Sequence, residues 1–210
     1  MNAPTKEQFE AYQKIFDFMN ARLFDGSLPS VLLNFSRKSG SKGFFAAERW
    51  SRGKEIAHEI SLNPQILKIE PDEETVSTLV HEMVHLWRYG QPDPPSNGYH
   101  DKAWAQKMIK IGLQPDDGNG ETTGFRMSHR IIPDGAFQEA FQEMPEELRL
   151  PWKCEETPFL RRKSKGLDPK KKIRYACTAC KQVAWGKPGL WLICGLCQED
   201  MEEGATPVRG

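Results

Sequence analysis

The sequence has no run of about 18 uncharged apolar residues, the length a membrane-spanning helix needs, and its opening stretch, MNAPTKEQFE, lacks a basic segment followed by an apolar one. No membrane span and no secretory leader are therefore expected, and the cytosol is the expected compartment. Net charge is absent too, since 29 basic groups balance 29 acidic ones. There is no internal repeat and no long low-complexity segment, which leaves ordinary globular domains. Cysteine is scarce and late: of five, four fall at Cys177, Cys180, Cys194 and Cys197. In a cytosolic chain that placement suggests a metal rather than disulfides.

What is there is unevenly distributed. Residues 1–150 carry five more acidic than basic groups, residues 151–187 eight more basic than acidic, and residues 188–210 three more acidic than basic. A length of 210 residues fits one domain of ordinary size plus a smaller appendage. The expected division is a body over 1–150, a basic linker over 151–174 and a small module over 175–210.

Phe9, Tyr12, Ile15, Phe16, Met19 and Leu23 recur at helical spacing, and Gly26 closes the segment, which predicts an amphipathic first helix. Three β-like stretches follow, at Val31–Phe35, Phe44–Trp50 and Ile56–Leu62, separated by turn-rich segments such as SRKSGSKG. They predict a small antiparallel sheet. PDEETVSTLVHEMVHLWRYG then opens on proline and carboxylates, which suit the positive end of a helix dipole, and ends at Gly90. After a polar, proline-rich loop, HDKAWAQKMIKIGL predicts a further helix with Asp101 as its N-cap. The fold class expected is α+β.

Within the central helix His81 and His85 lie one turn apart on a single face, so both imidazoles can converge on one ion. Glu82 sits about 100° around, beside such an ion without ligating it, where a general base would stand. Leu79, Val80, Met83, Val84 and Leu86 mark the surroundings as a core, and two histidines and a carboxylate are costly there without partners. A catalytic zinc takes three protein ligands and keeps one position open. His100 is the best-placed third ligand, at the end of a loop and the start of the next helix. His58 and His129 compete, but a core or edge histidine is the stronger reading for both.

HEMVH, a gap of fourteen residues, then His100 with Trp104 four positions later resembles the SprT-like metallopeptidases, the group that includes the Spartan protease. The resemblance runs over most of residues 9–113 in the family's order: the helix ending LFDGSLP, the strands VLLNFS and EISLNP, the HEMVH helix and the His100 helix. Tyr99 and Asp101 flank His100 where the family commonly has glycine. The resemblance implies a zincin-like domain of helices around a short sheet, zinc held by His81, His85 and His100, and Glu82 as general base. It implies a zinc endopeptidase whose partner is a protein substrate; the sequence itself does not identify a second donor to the developing oxyanion, for which Tyr99 and Arg88 are the candidates.

Cys177-x-x-Cys180 and Cys194-x-x-Cys197, thirteen residues apart, have the knuckle spacing of a closed four-thiolate zinc ribbon. The cofactors expected are thus two zinc ions, one catalytic and one structural. Gly186-Lys187-Pro188-Gly189 between the knuckles predicts a hairpin turn. Cys154 is left over as an ordinary thiol. RRKSKGLDPKKKIRY is either a solvated linker or a phosphate-contacting segment, with Lys170, Lys171, Lys172 and Arg174 against the backbone and Trp185 and Trp191 stacking on bases. Two functions follow: a monomeric protease brought to DNA-bound or crosslinked proteins, in the cytoplasm and on the nucleoid of a bacterial host; or a non-proteolytic zinc module that binds nucleic acid or protein.

Overall fold

The computed structural model describes residues 3–38, 40–69, 72–96, 98–154 and 172–204. The chain divides into two compact units, residues 1–155 and 156–210.

In the first unit, α1 (Pro4–Phe24) starts with proline, whose fixed φ suits the first helical turn, and buries Tyr12, Ile15, Phe16, Met19 and Leu23. It stops where Asp25 and Gly26 both take left-handed backbone, φ 55° and 67°, so that the Gly26 N–H returns 3.0 Å to the Asn20 carbonyl. Next come β1 (Leu32–Phe35), β2 (Gly43–Arg52) and β3 (Glu55–Leu62), a short α2 (Ile66–Ile69) and the long α3 (Asp72–Tyr89). The unit is completed by α4 (Lys102–Lys110), a ribbon of β4 (Leu113–Asp116) and β5 (Ser128–Ile131), and α5 (Ala136–Glu143).

The sheet is mixed rather than antiparallel throughout. Its order is β1-β3-β2; β2 and β3 run antiparallel, but β1 pairs with β3 in parallel, Leu33 opposite Ile60. The reason lies in burial. Glu59, Ile60, Ser61 and Leu62 are all buried, so β3 takes the centre between its two predecessors, and the chain direction of β1 follows from that insertion.

α3 is the hub, packed against β2, β3, α1, α4 and α5. Its first turn carries Asp72, Glu73 and Glu74, which complement the helix dipole. Val76, Leu79, Val80, Met83, Val84 and Leu86 bury into one continuous core with Tyr12, Ile15, Phe16, Met19, Trp104 and Met108. Each such side chain contributes about 1.5–3 kcal/mol by leaving water. The histidines on this helix therefore stand on a platform set by packing.

The second unit is a four-stranded sheet ordered β7-β6-β9-β8, from β6 (Ile173–Cys177), β7 (Val183–Gly186), β8 (Leu192–Ile193) and β9 (Asp200–Gly204). The hairpin expected around Gly186–Gly189 does not form, because β7 and β8 are the two outer strands. The hairpin turns are the cysteine knuckles themselves, one joining β6 to β7 and the other β8 to β9.

Candidate metal centres

The helical repeat of α3 sets His81 and His85 with ring centroids 5.2 Å apart. His100 arrives from the loop before α4. It is bridged to Gly124 by both backbone bonds, His100 N to Gly124 O at 2.9 Å and the reverse at 3.0 Å, and its Nδ1–H donates to the same Gly124 oxygen at 2.7 Å. That bond fixes the tautomer and leaves the Nε2 lone pair facing His85 Nε2, 3.0 Å away. One nitrogen from each of His81, His85 and His100 lies within 4.8 Å of the others. Nitrogens on a tetrahedral zinc, each at about 2.0–2.1 Å, would stand about 3.4 Å apart. The His85–His100 pair is close to that spacing, and neutral donors gathered in this way suit the ion.

Burial keeps these rings neutral. His81 is held well below its ordinary value by desolvation and then by His85, His129 and His100. Desolvation, then the facing His100, takes His85 down to about 3. Trp104 forms the wall of the site, stacked on His85 at 5.2 Å and edge-on to His100 at 4.3 Å and His81 at 4.9 Å.

His100 is held in place from behind. Arg88, only 8% exposed, gives Nε to Asp101 Oδ2 at 2.9 Å, one terminal nitrogen to the Pro92 carbonyl at 3.0 Å and the other to the Asp93 carbonyl at 2.7 Å. Asp101 in turn accepts from the Trp104 N–H at 2.8 Å, which makes it the N-cap of α4. Arg88 is thus committed to the loop that carries His100 and is not a free donor for an oxyanion. Tyr99 packs its ring edge-on against Phe125 at 5.1 Å.

Glu82 is buried beside the three histidines but outside the converging set. Desolvation raises its carboxyl to about 8, against the pull of the Phe45 backbone N–H and of Lys38. The start of β2 runs close: a Cβ on Gly43 would meet Glu82 Oε1, Leu62 Cδ2 and the Ser61 carbonyl, each at 3.2 Å. Glycine is the residue that lets this strand approach the carboxylate.

The competing histidines separate. His58 Nδ1 accepts the Glu48 N–H at 2.9 Å inside the bulge of β2, and its ring meets Tyr89 edge-on at 5.1 Å. His129 is different. On β5 it comes within 3.1 Å of His81, Nδ1 to Nδ1, and within 2.9 Å of Ser77 Oγ through Nε2. Sequence reasoning missed this, because no periodicity links residue 129 to residue 81.

In the second unit the two knuckles repeat one geometry. Cys177 N–H bonds the Gln182 carbonyl at 2.9 Å and Lys181 N–H the Cys177 carbonyl at 3.1 Å; Cys194 and Glu199, then Gln198 and Cys194, do the same at 2.8 Å each. Lys181 and Gln198, each four residues past the first cysteine, take left-handed backbone at φ 63° and 58°. The four sulfurs gather within 4.8 Å of one another, and Cys180 Sγ is 3.6 Å from Cys194 Sγ. Thiolates about 2.3 Å from a tetrahedral zinc would be about 3.8 Å apart. Backbone N–H groups of Cys180 and Ala179 lower the Cys177 thiol to about 7, while the neighbouring Cys180 pushes Cys197 up to about 12. Cys154, in the first unit, is half-buried and is not a member of this cluster.

Of the residues expected to meet nucleic acid, Lys170 and Lys171 lie outside the described residues and Lys172 is exposed. Arg174 stands directly opposite Trp185 across β6 and β7. Trp185 is 58% and Trp191 79% exposed, so neither forms the core of this unit; Tyr175, fully buried, does. Trp191 Nε1 donates to Asp200 Oδ1 at 2.8 Å.

The profile of the SprT-like family matches residues 12–124. That span runs from within α1 to Gly124, the residue that holds His100, and so contains the whole histidine cluster and Glu82. A Salmonella typhimurium protein described as an uncharacterized protein in the mucB 3' region is 32% identical over 50 residues, 24% of this chain and 68% of that protein.

Proposed function

The chain belongs to the SprT-like family, and from that premise we propose that it is a zinc-dependent endopeptidase acting on proteins associated with or crosslinked to DNA. The observation that carries the reading is the asymmetry of the histidine cluster. Among the described residues three neutral nitrogens converge, and a buried carboxylate stands next to them without joining them. A closed structural site has four protein ligands and no use for that carboxylate. Zinc bound here supplies Lewis acidity, which activates water and polarises a peptide carbonyl.

The chain's own residues do the rest. Glu82, buried beside the ligands without joining them, is placed for both halves of the proton transfer, taking a proton from the attacking water and returning it to the departing amine. The Phe45 N–H aims the carboxylate, Trp104 closes the dry side of the site, and the Arg88–Asp101 pair keeps His100 in register. Glu82→Gln should keep the fold and the zinc and lower cleavage of an unfolded protein substrate by about 10²–10⁴-fold. Undiminished cleavage by a clean preparation of that variant would refute the mechanism. A parent that holds both zinc ions and cuts nothing would favour the non-proteolytic binding module.

Recruitment to DNA is supported by the basic excess of residues 151–187 and by Arg174 and Trp185, a cation and an exposed ring side by side. Phosphate contacts release counterions, so neutralising Lys170, Lys171, Lys172 and Arg174 should reduce the log-log salt slope of duplex binding by about 0.9 per lost contact. An unchanged affinity and slope would leave the segment a linker. No described helix is long and apolar enough to cross a membrane; on this reading the protein works as a cytoplasmic monomer, on the nucleoid if the host is a bacterium.

A further inference from the structure

We infer that His129 is a positioning residue for the first zinc ligand: through Ser77 it ties His81 to the backbone of its own helix and sets the tautomer that presents His81 Nε2 to the metal. This rests on the zinc-peptidase reading of the histidine cluster, and adds to it a residue from a different element, β5.

A chain of contacts fixes where each proton sits. Ser77 Oγ lies 2.9 Å from the Glu74 carbonyl oxygen, His129 Nε2 lies 2.9 Å from Ser77 Oγ, and His129 Nδ1 lies 3.1 Å from His81 Nδ1. A carbonyl only accepts, so the single Ser77 hydroxyl proton goes to Glu74, and Oγ is left to accept from His129 Nε2–H. His129 is then the Nε2–H tautomer, with a lone pair on Nδ1. That lone pair accepts from His81 Nδ1–H, which leaves the His81 lone pair on Nε2. Read from the other end, a metal on His81 Nε2 requires a proton on Nδ1 and an acceptor for it, and His129 Nδ1 is the atom in reach. Both ends impose the same direction.

The same logic operates on His100, whose Nδ1–H is taken by the Gly124 carbonyl at 2.7 Å. A metal-ligating histidine is oriented and made more basic by the acceptor on its other nitrogen. Because Ser77 lies one turn before His81 on α3, the loop of contacts leaves the helix at residue 77, passes through β5 and returns at residue 81. It therefore also fixes β5 against the active face. Both His129 nitrogens are occupied by these contacts, so His129 is not a fourth ligand.

The test uses the full chain and zinc alone. Zinc affinity of the histidine site is measured by chelator competition, with the thiolate site as internal reference. His129→Phe, which keeps a ring and removes the acceptor, should weaken the histidine site by roughly 10–100-fold and leave the thiolate site unchanged. His129→Asn, whose Oδ1 can take the place of Nδ1, should restore most of the loss; a merely space-filling role would be met better by phenylalanine than by asparagine. If the parent binds no zinc at the histidines, the peptidase reading fails first. Should the parent bind and folded His129→Phe bind equally tightly, the inference alone is overturned. Where His129→Phe does not fold, long-range proton–nitrogen correlation spectra of the zinc-loaded parent decide: His81 as Nδ1–H with His129 as Nε2–H supports the relay. His129 as Nδ1–H, or with a nitrogen shifted by metal, overturns it.

Discussion

The two ligand clusters are built on opposite physical terms. The histidine cluster stands on a core with 28 buried hydrophobics among the described residues, and its members come from a long helix and a loop clamped by Arg88. Its geometry is fixed by packing and by hydrogen bonds from groups outside the ligand set. The thiolate cluster stands on two knuckles whose unit, among the described residues, fully buries little beyond Tyr175, Cys177 and Cys194. Zinc bound there would supply the cohesion that a core supplies elsewhere. On the proposed function, the site that does chemistry is preorganised by its protein, and the site that holds structure organises the protein around itself.

The harshest way to break this comparison is to remove zinc. Chelation should unfold the C-terminal unit, because structural zinc contributes about 10–16 kcal/mol to such modules, and leave residues 1–155 folded. Amide dispersion in nuclear magnetic resonance spectra checks it: dispersed ribbon amides in excess chelator would mean that this unit has a sufficient core after all. A smaller effect is expected of Arg88→Ala, which strands the partly buried Asp101 carboxylate and two backbone carbonyls. Leaving one partner of a buried pair costs about 3 kcal/mol. The body should melt lower and its histidine site bind zinc more weakly, with the thiolate site untouched.

The mildest test is pH on the zinc-free protein. His85 at about 3 and His129 at about 4 bind fewer protons folded than unfolded below their ordinary 6.5. Their contribution is therefore lost as pH falls below that value. Glu82, raised from 4.5 to about 8, binds more protons folded than unfolded between those values, so its contribution is lost as pH rises through them. Between 4.5 and 6.5 the histidines outnumber the single carboxyl. Urea midpoints of the zinc-free body should peak near pH 6.5 and fall on both sides; a monotonic profile would show that the buried polar cluster is not held as described.

The helices were legible because periodicity records which face of a segment is apolar, and burial of Tyr12, Ile15, Phe16 and Met19 is what that pattern means. His81, Glu82 and His85 were legible because a helix converts sequence spacing into spatial spacing without help from the rest of the fold. The cysteine knuckles were legible for the same reason: four residues of chain make the whole turn. Direction and order of the strands were not, since an alternating pattern assigns a face and says nothing about neighbours. The knuckle hairpins were misplaced onto Gly186–Gly189 because turn residues announce a reversal without saying which strands it joins.

What the sequence by itself determined is thus the local chemistry: the candidate ligand types, their spacing, the carboxylate beside them and the paired thiols. What only the tertiary structure decided is which distant groups complete that chemistry: Gly124 behind His100, Arg88 around its loop, the Phe45 N–H on Glu82, and His129 with Ser77 behind His81. The physical reason is that short-range spacing is set by bond geometry, which every chain shares. Contacts between residues such as His81 and His129, 48 positions apart, are chosen by the packing of the whole core, and no window of sequence contains that sum.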